Sequence, residues 1–367
     1  MSDQTAVQPT DAHLRGLDRL PLRRIVLVVL GTTITLLVVV GAFKTLTLPV
    51  DEGRYSADFW IDQTVLGISQ GAILALIALG YTLVYGILRM INFAHGEVFM
   101  AGAFISFFFA DAYAKSGFLN SSPYLALFIL LVVSVVISTL VAVLLERIAY
   151  RPLRNAPRLV PLITAIGASL FIANAFRGFF GPQPYGYPQP SILAGEVEIF
   201  GIAIGKIQLV VLMTSVLAML ALQIFVHRSR TGRSMRAVAE DSEIASLMGI
   251  KVDRIVVITF VIGGVLAGVA GLLFSLTFQQ VQFTMGFRPG IAAFTAAVLG
   301  GIGSIGGAAL GGFVLGLLQA IGPPLLLTGY GVPSPFSLRD AFVFLVLVLV
   351  LVFRPGGLLG SGDAEKV

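Results

Sequence analysis

Residues 255–278 read IVVITFVIGGVLAGVAGLLFSLTF, a run of 24 residues without a charged side chain. An α-helix rises 1.5 Å per residue, so about 20 such residues cross the ~30 Å hydrocarbon core of a bilayer. Comparable apolar runs lie at 25–43, 63–88, 91–112, 123–145, 159–179, 207–226 and 341–353. The sequence therefore predicts an all-α, polytopic helical membrane protein with about eight full spans.

The overall composition agrees with this class. Of the 367 residues, 57% are hydrophobic and 12% are charged, whereas soluble proteins average about 45–50% apolar and about 25% charged residues. The absence of cysteine excludes disulfides, cysteine metal sites and thiol catalysis. In a membrane chain the net charge of +5 reflects orientation, so we expect contact with the bilayer and no nucleic-acid partner.

Basic residues indicate which loops face the cytoplasm. Of the 24 Lys and Arg residues, 17 fall in segments that we assign to one side: 1–24, 89, 146–158, 227–254 and the tail from 354. Because Lys and Arg accumulate on the cytoplasmic side of membrane proteins, both termini are predicted to be cytoplasmic. No cleavable signal peptide is evident before the first apolar run.

A glycine-rich segment, 291–321, is too long for one plain helix. It contains AAFTAAVLGGIGSIGGAALGGFVLG at 292–316, and glycines at 303, 307 and 311 recur every four residues, a spacing that lets helix backbones approach closely. Residues 300–307 are also a predicted helix break, giving a re-entrant or paired half-helix segment. Transporters build substrate sites from such breaks, so the following are candidate path residues, with tight packing alone as the alternative: Gly300, Gly301, Gly303 and Gly307.

The polar segment 227–254, HRSRTGRSMRAVAEDSEIASLMGIKVDR, separates two apolar runs. It predicts two short helices, the first capped by Thr231 or Ser234 and the second, 242–248, capped by Asp241. Gly249 is placed to end the second helix in a left-handed conformation.

The second short helix has two faces. Ile244, Leu247 and Met248 are three or four residues apart and form an apolar face. Such a helix suits a groove on a soluble partner, and the alternative is a helix resting on lipid headgroups.

A second polar cluster, 92–97 (NFAHGE), lies between two apolar runs. In one interpretation it is a turn, in which Asn92 caps the next helix and Glu97 interacts favourably with the helix dipole. In the other, Asn92, His95 and Glu97 form a gate that rearranges during transport, with Tyr85 on the preceding span as a further candidate. Neither Glu97 nor Asp340 is placed at mid-membrane depth by the sequence.

Little in the chain could carry catalysis. The three histidines, at 13, 95 and 227, show no metal-ligand spacing, and no G-x-x-x-x-G-K-[ST] phosphate loop occurs. We therefore predict no enzyme activity, no cofactor and no metal, and ATP would have to be hydrolysed by a partner. The scarcity of intramembrane acids argues against a proton- or ion-coupled secondary transporter.

The longest external loop, 181–206, opens with GPQPYGYPQP, in which proline and glycine favour turns and extended segments. It is either a passive connector or a docking surface for an external partner.

Four stretches resemble the permease subunits of branched-chain amino acid ABC importers of the LivH type. They are GAILALIALGYTLVYGILRMINFAHGEVFMAGAF (71–104), ERIAYRPLRNAPRLVPLITAIGASLF (146–171), RTGRSMRAVAEDSEIASLMGIKVDRIVVITFVIGG (230–264) and FTAAVLGGIGSIGGAALGG (294–312). The resemblance starts near residue 63, so we divide the chain into a permease domain, 63–367, and an N-terminal part, 1–62, with an additional span.

The resemblance implies an assembly in the bacterial inner (plasma) membrane. Its members are a second related permease subunit, two cytoplasmic ATP-binding subunits and an extracytoplasmic binding protein that delivers leucine, isoleucine or valine. The family's ATPase-docking motif is Glu-Ala-Ala-x3-Gly followed by a downstream Ile-x-Leu-Pro. Glu243, Ala245 and Gly249 match its first part, with Ile244 replacing the first alanine, whereas the Ile-x-Leu-Pro part is absent around Thr259. The candidate ATPase-coupling residues are Arg233, Glu240, Asp241, Glu243, Ala245, Gly249 and Ile250.

Other functions stay open at this point. A permease of the same family could carry urea, amides or other amino acids. A channel, a secondary transporter or a non-transporting assembly subunit are the alternatives from other classes.

Overall fold

The computed structural model describes residues 21–48, 55–154, 156–157 and 159–359. Its α-helices, in chain order, are α1 (Pro21–Thr47), α2 (Ala57–Leu88), α3 (His95–Lys115), α4 (Phe118–Ser121), α5 (Pro123–Leu145), α6 (Leu159–Phe180), α7 (Lys206–Arg228), α8 (Arg230–Glu240), α9 (Ser242–Leu247), α10 (Val252–Phe278), α11 (Phe287–Gly300), α12 (Ile305–Leu327) and α13 (Arg339–Phe353). The predicted polar start before Pro21 and the end of the tail after residue 359 lie outside the described residues.

The helices confirm the predicted class. Within the described residues, nine helical segments are long and apolar enough to cross a membrane, and α11 is a shorter apolar helix. The first of the nine, in α1, corresponds to the predicted additional N-terminal span. The chain is therefore a multi-pass helical membrane protein. We call the side of the predicted cytoplasmic loops the cytoplasmic end of the bundle, and the opposite side the outer end.

The described residues form two compact units. One contains the described residues up to Tyr55 together with Pro323–Phe336, and the other contains Ser56–Gly322 and the described residues from Ser337 onward. In the first unit, the Tyr330 hydroxyl donates to the Leu37 carbonyl of α1 (2.9 Å), and the Gly329 amide donates to Thr45 (2.8 Å).

Helix α10, which contains the apolar run at 255–278, lies at the centre of the larger unit and packs against α2, α3 and α5. Three of its glycines make this packing possible. A Cβ on Gly264 or Gly268 would lie 2.6 or 2.5 Å from the α5 backbone, and one on Gly271 would lie 2.7 Å from the Phe99 carbonyl oxygen of α3. Since real Cβ atoms do not approach so closely, any larger side chain would push these helices apart.

The glycine-rich segment breaks where predicted. Helix α11 ends at Gly300, and Gly301 and Gly303 have φ values of +107° and +96°, a region that side chains with a Cβ disfavour. α11 has 14 residues and is about 21 Å long, too short for a span on its own. α12 has 23 residues, so it is a full-length helix rather than a half-helix.

The predicted glycine stripe is only partly correct. Gly307 and Gly311 face the carbonyls of Gly300 and Ala296 in α11, but Gly303 lies in the break with open space beside it. Two glycines that were not part of the predicted stripe, Gly312 and Gly316, pack against the backbone of α2. The helix break removes residue 303 from the four-residue period.

Four short strands lie outside the long helices. They are β1 (Tyr185–Gly186), β2 (Glu196–Ile199), β3 (Ile202–Gly205) and β4 (Gln280–Val281), paired antiparallel as β1–β4 and β2–β3. The loop 181–206 is therefore ordered at the outer end. It is held to α3, because the Tyr187 hydroxyl lies 3.1 Å from Ser106 Oγ, and burial raises the pKa of this phenol above its usual value.

Candidate functional site

The polar segment 227–254 folds into the two predicted short helices, α8 and α9. Asp241 caps α9 as predicted, because its Oδ1 accepts from the amides of Glu243 (2.8 Å) and Ile244 (2.9 Å). The predicted cap of α8 was wrong. Ser229 takes that position, its Oγ accepting from the Gly232 amide at 2.8 Å, so α8 follows α7 almost without a linker.

Helix α9 presents its apolar face to the outside of the chain. The side chains of Leu247 and Met248 are 87% and 78% exposed, and Ile244 is also exposed. Gly249 follows with φ +83°, the predicted left-handed conformation. The Ile250 amide donates to the Ala245 carbonyl (3.1 Å), so the chain turns away directly after the helix.

The candidate coupling residues divide by burial. Ala245 is buried and Ile250 packs partly against the core. The remaining members are exposed, namely Arg233, Glu240, Asp241, Glu243 and Gly249. The structure therefore exposes four charged side chains and Gly249 beside the three exposed apolar side chains.

Two arginines tie α8 to the long helices, and no sequence pattern indicates either contact. Arg89 Nη2, directly after α2, donates to the Ala239 carbonyl near the end of α8 at 2.9 Å. Arg236 Nη1 donates to the Val226 carbonyl of α7. In each contact a guanidinium donates to a backbone carbonyl, which makes the hydrogen bond stronger than a neutral one. A displacement of α8 would therefore pull on the ends of α2 and α7.

A polar network connects the same end of the bundle with α10. Arg154 pairs with both Glu146 and Asp253, and Arg151 pairs with Asp253 at 3.3 Å. Glu146 is fully buried, so the paired guanidinium offsets the cost of burying its carboxylate. The network joins the turn after α5 to the first turn of α10.

The cluster 92–97 is not a simple capped turn. The Asn92 side chain accepts from the Tyr150 hydroxyl at 2.8 Å, and α3 begins after Ala94 without a side-chain cap. The capping interpretation of Asn92 was therefore wrong. The hydrogen bond between Tyr150 and the Asn92 side chain instead holds the start of α3 against the segment that follows α5.

His95 and Glu97 lie inside the bundle. The His95 ring packs against Gly80 and edge-on to Tyr81, with ring centroids 4.9 Å apart. Gly80 is eight residues before the end of α2, about 12 Å along the helix axis. The first residue of α3 therefore lies deep in the bundle, far from the cytoplasmic end of α2. No pattern in the sequence indicates this depth.

A cavity lies beside α2 at Gln70, Ile73 and Leu74, on the outer side of His95. Its volume is about 770 Å³. Glu97 and Ser169 line its inner part, with the Ser169 Oγ 3.2 Å from Glu97 Oε1. Arg288 and Asp340, which pair at 3.4 Å, also line it. Of the predicted path residues, only Glu97 reaches this cavity.

The other predicted path residues lie elsewhere. Tyr85 borders a gap of only about 10 Å³ that is shared with Tyr81 and Phe294. Asn92 and His95 are buried in the packed core and line neither the cavity nor this gap. The four glycines lie at the junction of α11 and α12. Gly301 begins a turn in which its carbonyl accepts from the Ser304 amide. Ser304 Oγ then caps α12 by accepting from the Gly307 amide (3.1 Å). Their role in a path remains a prediction.

An aromatic group lies beside His95, on the cytoplasmic side of Glu97. Tyr81 lies 6.1 Å from Phe294, and Phe294 lies 5.6 Å from Phe93, between ring centroids. Across the described residues, no group of three or more histidine and acidic side chains could hold a metal ion.

Comparison with known proteins identifies the family. Residues 63–351 match the family described as branched-chain amino acid transport system / permease component. The chain belongs to this family. As a permease component, it is a membrane transport subunit that works with other components of a transport system, rather than an enzyme.

The chain is similar to two permease proteins, BraD and LivH, over nearly their whole length, and to a third, LsrD, over about half of its length. BraD, a permease protein of the high-affinity branched-chain amino acid transport system of Pseudomonas aeruginosa, is 42% identical over 311 residues, 84% of this chain and 98% of BraD. LivH of Escherichia coli K12, a protein of the corresponding system, is 42% identical over 312 residues, with the same coverage. The permease protein LsrD of the autoinducer 2 import system of Photorhabdus luminescens is 26% identical over 193 residues, 50% of this chain and 54% of LsrD.

Proposed function

We propose that this chain is the membrane-spanning permease of an ATP-driven importer that carries leucine, isoleucine and valine across the bacterial inner (plasma) membrane. The observation that carries the proposal is the 42% identity to BraD and LivH over 98% of their length. The permease domain is 63–367, and 1–62 adds an N-terminal part with a further span. Both termini face the cytoplasm.

The partners follow from the same proposal. A second related permease subunit completes the membrane part, two cytoplasmic ATP-binding subunits supply energy, and an extracytoplasmic binding protein delivers the amino acid. The exposed apolar face of α9 supports docking of an ATP-binding subunit, because an isolated surface of this kind on a polar helix pair suits a protein groove. Glu243 and Gly249 are the central residues of this contact.

Coupling runs from α8 to α2. Closure of the ATP-binding subunits displaces α8 and α9, and Arg89 transmits the displacement to the end of α2. Tyr81 lies on the same helix, eight residues earlier than Arg89, and packs against Phe294 in the aromatic group that, in this proposal, separates the cavity from the cytoplasm. Movement of α2 would separate Tyr81 from Phe294 and open the cavity toward the cytoplasm.

Uptake measurements test the proposal. A strain lacking this chain is compared with the same strain expressing it, using radiolabelled leucine, valine and urea. Restored uptake of leucine and valine without urea is the expected result. Restored uptake of urea alone would show that the cargo is not a branched-chain amino acid. The similarity to LsrD, of an autoinducer 2 import system, shows that a related permease protein can belong to a system with a different cargo.

The docking surface is tested separately with Glu243→Ala. Because Glu243 is exposed, this change leaves the folding of the bundle intact and weakens the contact with the ATP-binding subunit. We expect normal membrane insertion, loss of the ATP-binding subunit on purification and loss of leucine uptake. Wild-type uptake by this variant would contradict the assigned contact.

A further inference from the structure

We propose that the outer cavity is a transit site for a zwitterionic amino acid, and that Glu97 binds the ammonium group of that amino acid. The inference rests on the proposed transport of amino acids and adds a residue and a contact to it. Its support is the burial of Glu97, the unsatisfied oxygen of that side chain and the chemistry of the cavity wall.

Glu97 is buried without a charged partner. Its side chain is 3% exposed, and it forms no ion pair with another described residue. The Ser169 hydroxyl bonds one carboxylate oxygen (3.2 Å), while Oε2 has no hydrogen-bond partner within the described part of the chain. A buried carboxylate in this state is costly, and a cationic ligand would offset that cost.

Two glycines allow the backbone to pack closely around Glu97. A Cβ on Gly286 would lie 2.6 Å from Glu97 Oε2, and a Cβ on Gly96 would meet the Gly286 carbonyl. A larger residue at Gly286 would therefore displace the carboxylate, so these glycines help to hold Glu97 at its place in the cavity wall.

The cavity wall suits an amino acid with an aliphatic side chain. Ile73, Leu74, Phe274 and Phe278 supply apolar surface on the same cavity as the carboxylate. Arg288 is the cation among the described lining residues, and although it pairs with Asp340, its side chain is 80% exposed and so accessible to a carboxylate. The volume of about 770 Å³ falls within the usual range of ~300–1,000 Å³ for small-molecule sites.

Ligand-dependent stability tests the contact directly. The assembled transporter, with its ATP-binding subunits, is placed in lipid nanodiscs, and its thermal unfolding is followed without the binding protein. Three probes are added at millimolar concentration: L-leucine, 3-methylbutylamine, which lacks the carboxylate, and 4-methylpentanoate, which lacks the amine. A ligand that binds only the folded protein raises its unfolding temperature.

Leucine and 3-methylbutylamine are expected to raise the unfolding temperature of the wild type, and 4-methylpentanoate is not. Glu97→Gln keeps the shape of the side chain but removes its charge, so both upward shifts should disappear. Glu97→Asp should retain part of them. The matched control is Glu196→Gln, which removes one acid from the exposed strand β2 and should keep both shifts.

Three results would overturn the site: shifts that survive in Glu97→Gln, protection by 4-methylpentanoate equal to that by leucine, or no shift with any probe in the wild type. Transport separates this inference from the proposed function. Loss of a hydrogen bond to a charged group should lower leucine uptake by Glu97→Gln about tenfold or more, with the ATP-binding subunits still bound. Normal uptake by this variant overturns the site alone, whereas no leucine uptake by the wild type overturns the proposed function.

Discussion

Single glycines hold two of the functional elements in shape, each through a different physical requirement. Gly249 has φ +83° with open space around its Cα, so only backbone conformation restricts the position. Gly286 has ordinary geometry, but a Cβ there would lie only 2.6 Å from Glu97 Oε2. The backbone conformation at Gly249 is a local property that a helix-end pattern predicts. The restriction at Gly286 depends on Glu97, which is distant in the sequence.

At Gly249, alanine should weaken docking of the ATP-binding subunit. The left-handed conformation costs a residue with a Cβ about 1–2 kcal/mol, which lowers the population of the native turn by about 5- to 30-fold. Gly249→Asn should be milder, since asparagine tolerates this conformation. Co-purification of the ATP-binding subunit measures the effect.

The control is Gly167→Ala in α6, where a Cβ has open space and the backbone is helical. This variant should bind the ATP-binding subunit like the wild type. Equal binding by Gly249→Ala would show that the turn after α9 is not part of the docking surface.

At the level of elements, α8 acts as a connection between the docking helix α9 and the bundle. Arg89 donates to the Ala239 carbonyl near the end of α8, Arg236 of α8 donates to the Val226 carbonyl of α7, and the α8–α9 boundary has no linker beyond Asp241. We therefore expect α8 to move as one body and to transmit a force applied to α9 to α2 and α7.

Arg89→Ala is expected to uncouple ATP hydrolysis from transport. The variant loses the hydrogen bond to Ala239, worth about 1 kcal/mol, while the exposed face of α9 stays intact. Leucine uptake should fall several-fold, with ATPase activity and subunit assembly retained. Arg228→Ala removes an exposed arginine at the end of α7 and serves as control. Parallel loss of ATPase activity in Arg89→Ala would contradict a purely coupling role.

Close packing of α12 against α2 gives a prediction about stability. A Cβ on Gly316 would meet the Gly71 backbone, so Gly316→Ala forces the two helices apart and should lower the free energy of unfolding by about 1–3 kcal/mol. Gly306→Ala lies in the same helix with open space and should have little effect. Thermal unfolding in detergent compares the two, and equal stability would contradict the assigned contact.

For the whole molecule, the distribution of basic residues predicts the orientation across the membrane. The natural absence of cysteine allows single cysteines to report it. Phe200 at the tip of the β2–β3 hairpin is fully exposed, and Ser246 is exposed on α9.

A membrane-impermeant maleimide should label Phe200→Cys in intact cells and Ser246→Cys only in inside-out vesicles. The reason is the concentration of 17 of the 24 basic residues on the side of α9. The opposite labelling pattern would reverse the topology and place the proposed docking helix outside the cell.

Much of the architecture was predictable because its causes are local. Uncharged apolar runs predicted the spans, Asp241 predicted the start of α9, and the glycines at 300–307 predicted a break. The predicted caps at Thr231, Ser234 and Asn92 were wrong. Ser229 caps α8, whereas α3 has no side-chain cap because the Asn92 side chain accepts from Tyr150. A polar residue near a helix start is therefore not enough to assign a cap, since a neighbour or a distant partner can take its place.

The sequence by itself determined the class of the protein, its spans, its broken helix and the two-faced helix α9, since hydrophobicity, capping and left-handed glycines act over a few neighbouring residues. Only the tertiary structure decided where Glu97 lies and which groups surround it. Glu97 meets Ser169 across 72 residues, and Arg89 meets Ala239 across 150. Such contacts depend on the depth in the bundle at which each helix begins. Packing among α2, α3 and α10 determines that depth, and no local sequence pattern indicates it.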